Sequence, residues 1–262
     1  MRSEYEIIDI KKNKDKYSVF IDSLKLNISE DIIIKYNLFV GKKMTESEYI
    51  ALVDGIDYNN LLNKTIKYIA YQPRSKKEIE IYLKKSNVNQ SNKDKVLNKL
   101  IEYKYLNDDD LAKSIFEYEK NVKKKGPKVI EQKLLIKGIS KLRVSELVGL
   151  YDEDSQIENI NFIIEKEIQK NKKFPVRKRK KTITDKLIRD GFDHELVYEK
   201  ISNLELEDDS YQQLLIEVVK LKRRYIKDDE FQAKQKIINN LINKGFEYSA
   251  ISKALNDSEF QD

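Results

Sequence analysis

An internal repeat constrains this chain more than any other feature of its sequence. Three segments align without gaps: VIEQKLLIKGIS (129–140), TITDKLIRDGFD (182–193) and KIINNLINKGFE (236–247). Each places a Leu four residues before a Gly, with a large apolar residue directly after it: Leu134/Gly138/Ile139, Leu187/Gly191/Phe192 and Leu241/Gly245/Phe246. An earlier segment, KEIEIYLKKSNVN (77–89), fits with Leu83 and Val88, and Asn87 stands in the glycine position. The anchor leucines are spaced by 51, 53 and 54 residues. A Gly or Asn just past a helix takes the left-handed conformation, and the apolar residue after it packs back on the last turn. The anchor therefore marks a helix C-terminus. A further helix follows, with Val144, Val197 and Ile251 each six residues past the glycine.

A preceding helix repeats as well. Its apolar pairs are Leu61/Leu62 with Thr65/Ile66, Leu111/Ala112 with Ile115/Phe116, and Leu214/Leu215 with Val218/Val219, while Ile163/Ile164 with Ile168 match more loosely. Asp57, Asp109, Ser155 and Ser210 stand just ahead of these helices as expected N-caps. Each repeat is thus three helices, and stacking on neighbours supplies the core that one repeat lacks. The expected repeats are 58–108, 109–153, 154–208 and 209–262. Residues 1–57 differ: strands are expected near 5–11 and 17–22 around a polar turn at Lys12–Lys16, and LKLNIS adds a short third strand. Short helices follow, one capped by Ser29 and one over 45–53, where Thr45 and Glu48 form a capping box. The fold class is mainly α. Four tandem three-helix repeats form an elongated array with a small N-terminal appendage containing a β-hairpin, whose expected role is to cover one end of the array.

With 7 Gly and 3 Pro among 262 residues, a sandwich or barrel rich in tight turns is excluded. No apolar run approaches a membrane span, and no cysteine is present, which fits a reducing cytoplasmic location. There is no phosphate-binding glycine loop, nucleophile elbow or metal-ligand spacing, so neither an enzyme nor a cofactor is expected. His194, the single histidine, reads as a surface residue in a turn, and Asp108–Asp110 read as the acidic first turn of a helix.

The net charge of +6 is uneven. Residues 1–57 carry 9 Lys/Arg against 11 Asp/Glu, leaving 42 against 34 in the remainder. The cations cluster in the connection between the first and second helices of each repeat. They are Arg74, Lys76 and Lys77; Lys123, Lys124, Lys125 and Lys128; Arg177, Lys178, Arg179, Lys180 and Lys181; and Arg223 and Arg224. Pro73, Pro127 and Pro175 break the helix within the first three clusters. One Lys-rich connection reads as a solvated surface. Four at equivalent positions, two without any acid over 120–128 and 170–181, read as a basic stripe facing a polyanion, with nucleic-acid phosphates the natural partner. Tyr71 and Tyr225 adjoin these clusters, where packing on a helix face is the readier explanation than base stacking.

Three boxes in order carry a family resemblance. PRSKKEIEIYL contains Arg74, Ser75, Glu78 and Leu83; YKYLNDDDLAKS contains Leu106, Asp108, Asp109 and Ala112; KGPKVIEQKLLIKGI contains Lys125, Gly126, Pro127, Leu134 and Gly138. Together they resemble the RecX family, bacterial modulators of the RecA recombinase, and the likeness covers most of 58–257. The strand-rich start resembles the extension of longer Gram-positive members. Short members have three repeats, and this chain has four. The resemblance implies a non-catalytic protein that docks along the RecA–single-stranded-DNA filament, and a monomer is expected. It would lower RecA's ATPase, strand-exchange and coprotease activities by hindering filament growth or promoting disassembly. Implied partners are RecA and single-stranded DNA, with double-stranded DNA a second form, and no membrane. The alternative is a general single-stranded nucleic-acid-binding helical repeat protein.

Overall fold

The computed structural model describes residues 4–14, 16–172, 174–206 and 210–257. Asp15 in the expected hairpin turn, Lys173 in the third basic cluster and the repeat boundary expected at 208/209 lie outside the described residues. The chain forms two compact parts. One comprises residues up to 112 together with 137–139, and the other comprises 113–136 and 140 onward.

The first part opens with an antiparallel sheet of strands β1 (Tyr5–Lys12), β2 (Tyr17–Ile21) and β3 (Leu24–Ile28), then helix α1 (Glu30–Lys35) and strand β4 (Lys43–Met44). The sheet order is β3-β2-β1-β4. The fourth strand was not expected. Two residues carry no detectable alternation, and Lys43 and Met44 reach the sheet only because the loop before them returns to pair with Glu6 and Tyr5. One sheet face supplies Ile7, Val19, Ile21 and Ile28 to a core completed by Ile32, Leu38, Met44, Leu52 and Ile56.

The last two core residues belong to α2 (Glu46–Tyr71). Its capping box is present, with the Thr45 hydroxyl accepting from Glu48 N and Thr45 N donating to the Glu48 carboxylate at 2.7 Å. The helix expected to stop at 53 runs on to Tyr71, 26 residues in all. Nothing between 53 and 58 breaks it. Gly55 is helical and lies under Tyr36, where a Cβ would fall 2.2 Å from the phenol oxygen. Leu52 and Ile56 serve the sheet core, whereas Leu61 and Ile69 serve a second core with Ile79, Leu83, Val96, Leu100 and Leu106. Asp57 is accordingly an exposed mid-helix residue and not a cap.

Helices α3 (Lys76–Lys84) and α4 (Gln90–Glu102) complete the first triplet. Then follow α5 (Asp108–Glu117), α6 (Pro127–Lys137) and α7 (Lys141–Gly149); α8 (Glu153–Asn171), α9 (Val176–Arg189) and α10 (His194–Ser202); and α11 (Ser210–Arg224), α12 (Glu230–Asn243) and α13 (Tyr248–Asp257). The described helices thus fall into four threes after α1, as the tandem-repeat fold class requires. Ser29 holds the N-cap position of α1, but its hydroxyl accepts from Asn59 Nδ2 at 2.7 Å and bonds no backbone amide of α1. Two further caps are displaced from expectation. Asn107 accepts from the amides of Asp109 and Asp110 ahead of α5, and Asp152 accepts from Ser155 N ahead of α8. In both cases the cap lies two or three residues upstream of the residue chosen, where the side chain meets the first free amides.

The repeated leucine–glycine spacing has a direct backbone cause. At α9, Phe192 N donates to Leu187 O (3.2 Å) and Gly191 N to Ile188 O (3.0 Å), with Gly191 at φ +94°. The end of α12 repeats it through Phe246, Leu241, Gly245 and Ile242. The anchor leucine is therefore the residue whose carbonyl accepts the closing bond, and the following apolar residue donates it. Asn87 is not among the left-handed residues; α3 ends with Ser86 N on Leu83 O instead.

Candidate nucleic-acid interface

In the first three repeats the basic residues gather around the start of the second helix, whose N-terminus rests on the glycine cap of the next second helix, whereas Arg223 and Arg224 lie in the last turn of α11. In the first part, α3 begins at Ser75, whose side chain caps Glu78 N in a reciprocal capping box. This gives the Arg-Ser-x-x-Glu motif its structural meaning. The Glu78 carboxylate also accepts from Lys137 Nζ at 2.8 Å and lies 3.4 Å from Arg74 Nη1. Burial alone would raise the Glu78 pKa, but hydrogen bonds from Lys137, Ser75 and Arg74 outweigh it and hold the carboxyl below its usual range. Arg74 stacks over Tyr68 at 4.6 Å, and the stem of Lys77 covers Gly138.

In the second part, the start of α6 meets the end of α9 far more tightly. Gly126 N donates to Asp190 O (2.8 Å) and Lys128 N to Gly191 O (3.1 Å). A Cβ on Gly126 would lie 2.3 Å from the Gly191 carbonyl carbon, so glycine is required for this approach. Lys125 Nζ (2.6 Å) and Lys186 Nζ (2.8 Å) hold Asp190, which is 4% exposed, and Lys128 Nζ holds Asp193 at 2.9 Å. Burial pushes the Asp190 carboxyl up, yet its two lysine hydrogen bonds bring the net shift below the ordinary value. Lys128 lowers Asp193 directly.

The start of α9 meets the end of α12 more loosely. Lys178 Nζ donates to Asn243 O (2.7 Å), and its stem covers Gly245. Arg177 faces Glu247 at 3.5 Å, but its side chain is 92% exposed. Glu217 on α11 is held by Lys244 and, at 3.4 Å, by Lys220; the Lys244 hydrogen bond leads the lowering of its pKa.

These positions divide the fourteen candidate cations. Arg74, Lys77, Lys125, Lys128 and Lys178 make joins or packing contacts within the protein. Arg179 is 4% exposed, so its charge reversal would test folding and not binding. Lys76, Arg177, Lys181, Arg223 and Arg224 are exposed, Lys180 is half-buried, and Lys123 and Lys124 lie over aromatic rings. The expected unbroken ridge is replaced, within the second part, by clusters at opposite ends of α9. A helix of 14 residues separates them by about 20 Å. Sequence reasoning missed the countercharges Glu78, Asp190 and Asp193. A signal existed in the three glycine-bearing segments: the position three past the anchor leucine holds Lys137, Asp190 and Lys244, a charge in each, although Ser86 stands there after Leu83.

Among the described residues, no group of three or more His, Cys, Asp and Glu could hold a metal ion, and no helix is long and apolar enough to cross a membrane. Tandem helical triplets joined through glycine caps, with surplus cations beside the joins, define a helical-repeat protein. The sequence profile described as the third three-helix domain of RecX matches residues 207–255. The regulatory protein RecX of Listeria welshimeri is 30% identical over 255 residues, covering 95% of this chain and 94% of its own. That of Bacillus subtilis is 27% identical, covering 95% and 96%. A crystal structure of a regulatory protein RecX superposes with a TM-score of 0.59 at 24% identity, covering 76% of this chain and all of that one. RecX from Lactobacillus salivarius gives 0.50 at 28% identity, over 56% and 96%. The chain belongs to the RecX family of regulatory proteins.

Proposed function

We propose that this chain regulates the RecA recombinase by binding its filament on single-stranded DNA, lowering RecA activity by blocking filament growth or promoting disassembly. The observation that carries the reading is the pair of exposed cations left beside the α9–α12 join, Arg177 and Lys181, which line one surface with Gly245 and Glu247; Arg223 and Arg224 add exposed charge at the other end of α11. They offer phosphates positive charge at a backbone edge where the protein's own acids leave it accessible, and such contacts depend steeply on salt. RecA is the partner that the family resemblance implies, and membership of the RecX family supports that choice. The reaction needs no chemistry from the chain itself, because a protein that favours one filament state shifts the equilibrium by binding alone.

The test is RecA's DNA-dependent ATPase with this protein added below the RecA concentration and DNA in excess. Inhibition under those conditions supports the reading. Undiminished ATPase alongside salt-sensitive DNA binding would leave the general single-strand-binding protein, and equal binding at low and high salt would remove the nucleic-acid role.

A further inference from the structure

The connection between α5 and α6 carries a feature that the joins do not use. Tyr118–Val122 form a single π-helical turn, a distortion that recurs at functional sites. The turn is held from both sides. Lys123 N donates to Tyr118 O (3.0 Å), Lys125 N to Glu119 O (2.8 Å), and buried Asn159 on α8 donates from its side chain to Lys120 O (3.0 Å). Glu119, also buried, is paired with Lys133 at 2.7 Å. These bonds keep Lys124 at φ +53°, a conformation that a side-chain-bearing residue holds only when its surroundings fix it.

The outcome is a particular surface. Lys123 Nζ lies 5.4 Å from the centre of the Tyr118 ring, and Lys124 Nζ lies 5.7 Å from that of Phe162. Tyr118 is 47% exposed and Phe162 52%. Phe162 sits one helical turn from Asn159, so the residue that pins the loop also sets the ring beside it. Two half-exposed rings thus flank two consecutive lysines on a rigid turn. A phenylalanine left half in water next to buried Ile160, Ile163 and Ile164 contributes little to the core.

We infer that Tyr118 and Phe162, with Lys123 and Lys124, form a base-stacking site for unpaired DNA. The inference rests on the single-stranded-DNA reading above and adds the site. Alternating rings and cations match the alternation of bases and phosphates in a strand, and aromatic planes stack on any base that is not already paired. A duplex presents its phosphates but keeps its base faces covered, so the site selects single strands.

The chain contains no tryptophan, which gives a clean probe. Phe162→Trp in the full-length protein introduces a lone indole. Its fluorescence is expected to be quenched by oligo(dT) and unchanged by an abasic strand of equal length and charge. In the wild type, oligo(dT) is expected to bind about tenfold or more tighter than the abasic strand, from stacking of one to two bases. Tyr118→Ala with Phe162→Ala removes that preference while leaving abasic binding and its salt dependence unchanged. Tyr118→Leu with Phe162→Leu, which keeps apolar bulk, does the same. Equal wild-type binding of the two strands, or a preference that survives both double variants, overturns the stacking site while leaving phosphate binding intact. Failure to bind either strand at low salt overturns both this site and the nucleic-acid reading.

Discussion

The join of α6 to α9 and the join of α9 to α12 use the same two elements, a helix start and a glycine cap, and they come out differently. At the first, glycine meets glycine, two backbone hydrogen bonds cross between helices, and buried Asp190 is gripped by two lysines. At the second, Phe174 occupies the place of Gly126 before the proline, the Lys178 side chain covers Gly245, and an exposed Arg177–Glu247 pair faces water. Two clusters that look alike as Lys/Arg runs therefore have different roles. Lys125 and Lys128 neutralise acids of the protein itself. Arg177, although it faces Glu247, and Lys181 stay exposed to water. A cationic run indicates a ligand only after the protein's own carboxylates have been assigned.

The largest expected effect separates the two joins by backbone contact. Gly126→Ala forces a methyl against the Gly191 backbone and should cost about 3 kcal/mol in urea unfolding. Gly245→Ala meets only the flexible Lys178 stem and should cost about 1–2 kcal/mol, chiefly for its positive φ. Equal losses would break the comparison. Next, Asp190→Ala leaves Lys125 and Lys186 facing each other and should cost about 2–3 kcal/mol, less than a fully buried pair because both lysines retain some water. Glu247→Ala should leave the unfolding midpoint unchanged, because its pair is solvent-exposed.

Acid should sharpen the same contrast. The carboxyls of Asp190 and Glu78 are held below their unfolded values, so the unfolded chain takes up protons first on acidification. Their contribution is complete above about pH 5, a unit above the unfolded values, and is lost as pH falls through the folded values. Denaturation midpoints should be flat from neutral pH to about 5 and then drop, with a shallower drop in Asp190→Asn. The smallest effect on folding belongs to Arg177→Glu with Lys181→Glu. Circular dichroism and thermal unfolding should be unchanged, while the salt slope of single-stranded-DNA binding falls by about 1.4 for two lost phosphate contacts. An unaltered slope would show that these cations face no phosphate.

Much of the fold was legible because its signals are local. The helix ends announced themselves through Leu187/Gly191/Phe192 and its repeats, since a left-handed cap constrains residues within one turn. The Thr45–Glu48 box was equally plain, but not the length of the helix it starts. Whether α2 stops at 53 depends on Leu52, Ile56, Leu61 and Ile69 being buried by two different cores, and no window of sequence holds that information. β4 escaped for a related reason, as two residues become a strand only when β1 is beside them.

The site was legible in its charges and illegible in their pairing. Asp190 lies 65 residues from Lys125, a separation at which spacing says nothing about contact. Sequence alone determined the helical triplets, their number and the position of the basic connections, because periodicity and capping act over a few residues. Only the tertiary structure decided which cations answer an internal acid, that Arg179 is buried, and that Tyr118 and Phe162 flank the same loop. Those outcomes depend on which surfaces meet when helices pack, and desolvation then fixes what each charge can do.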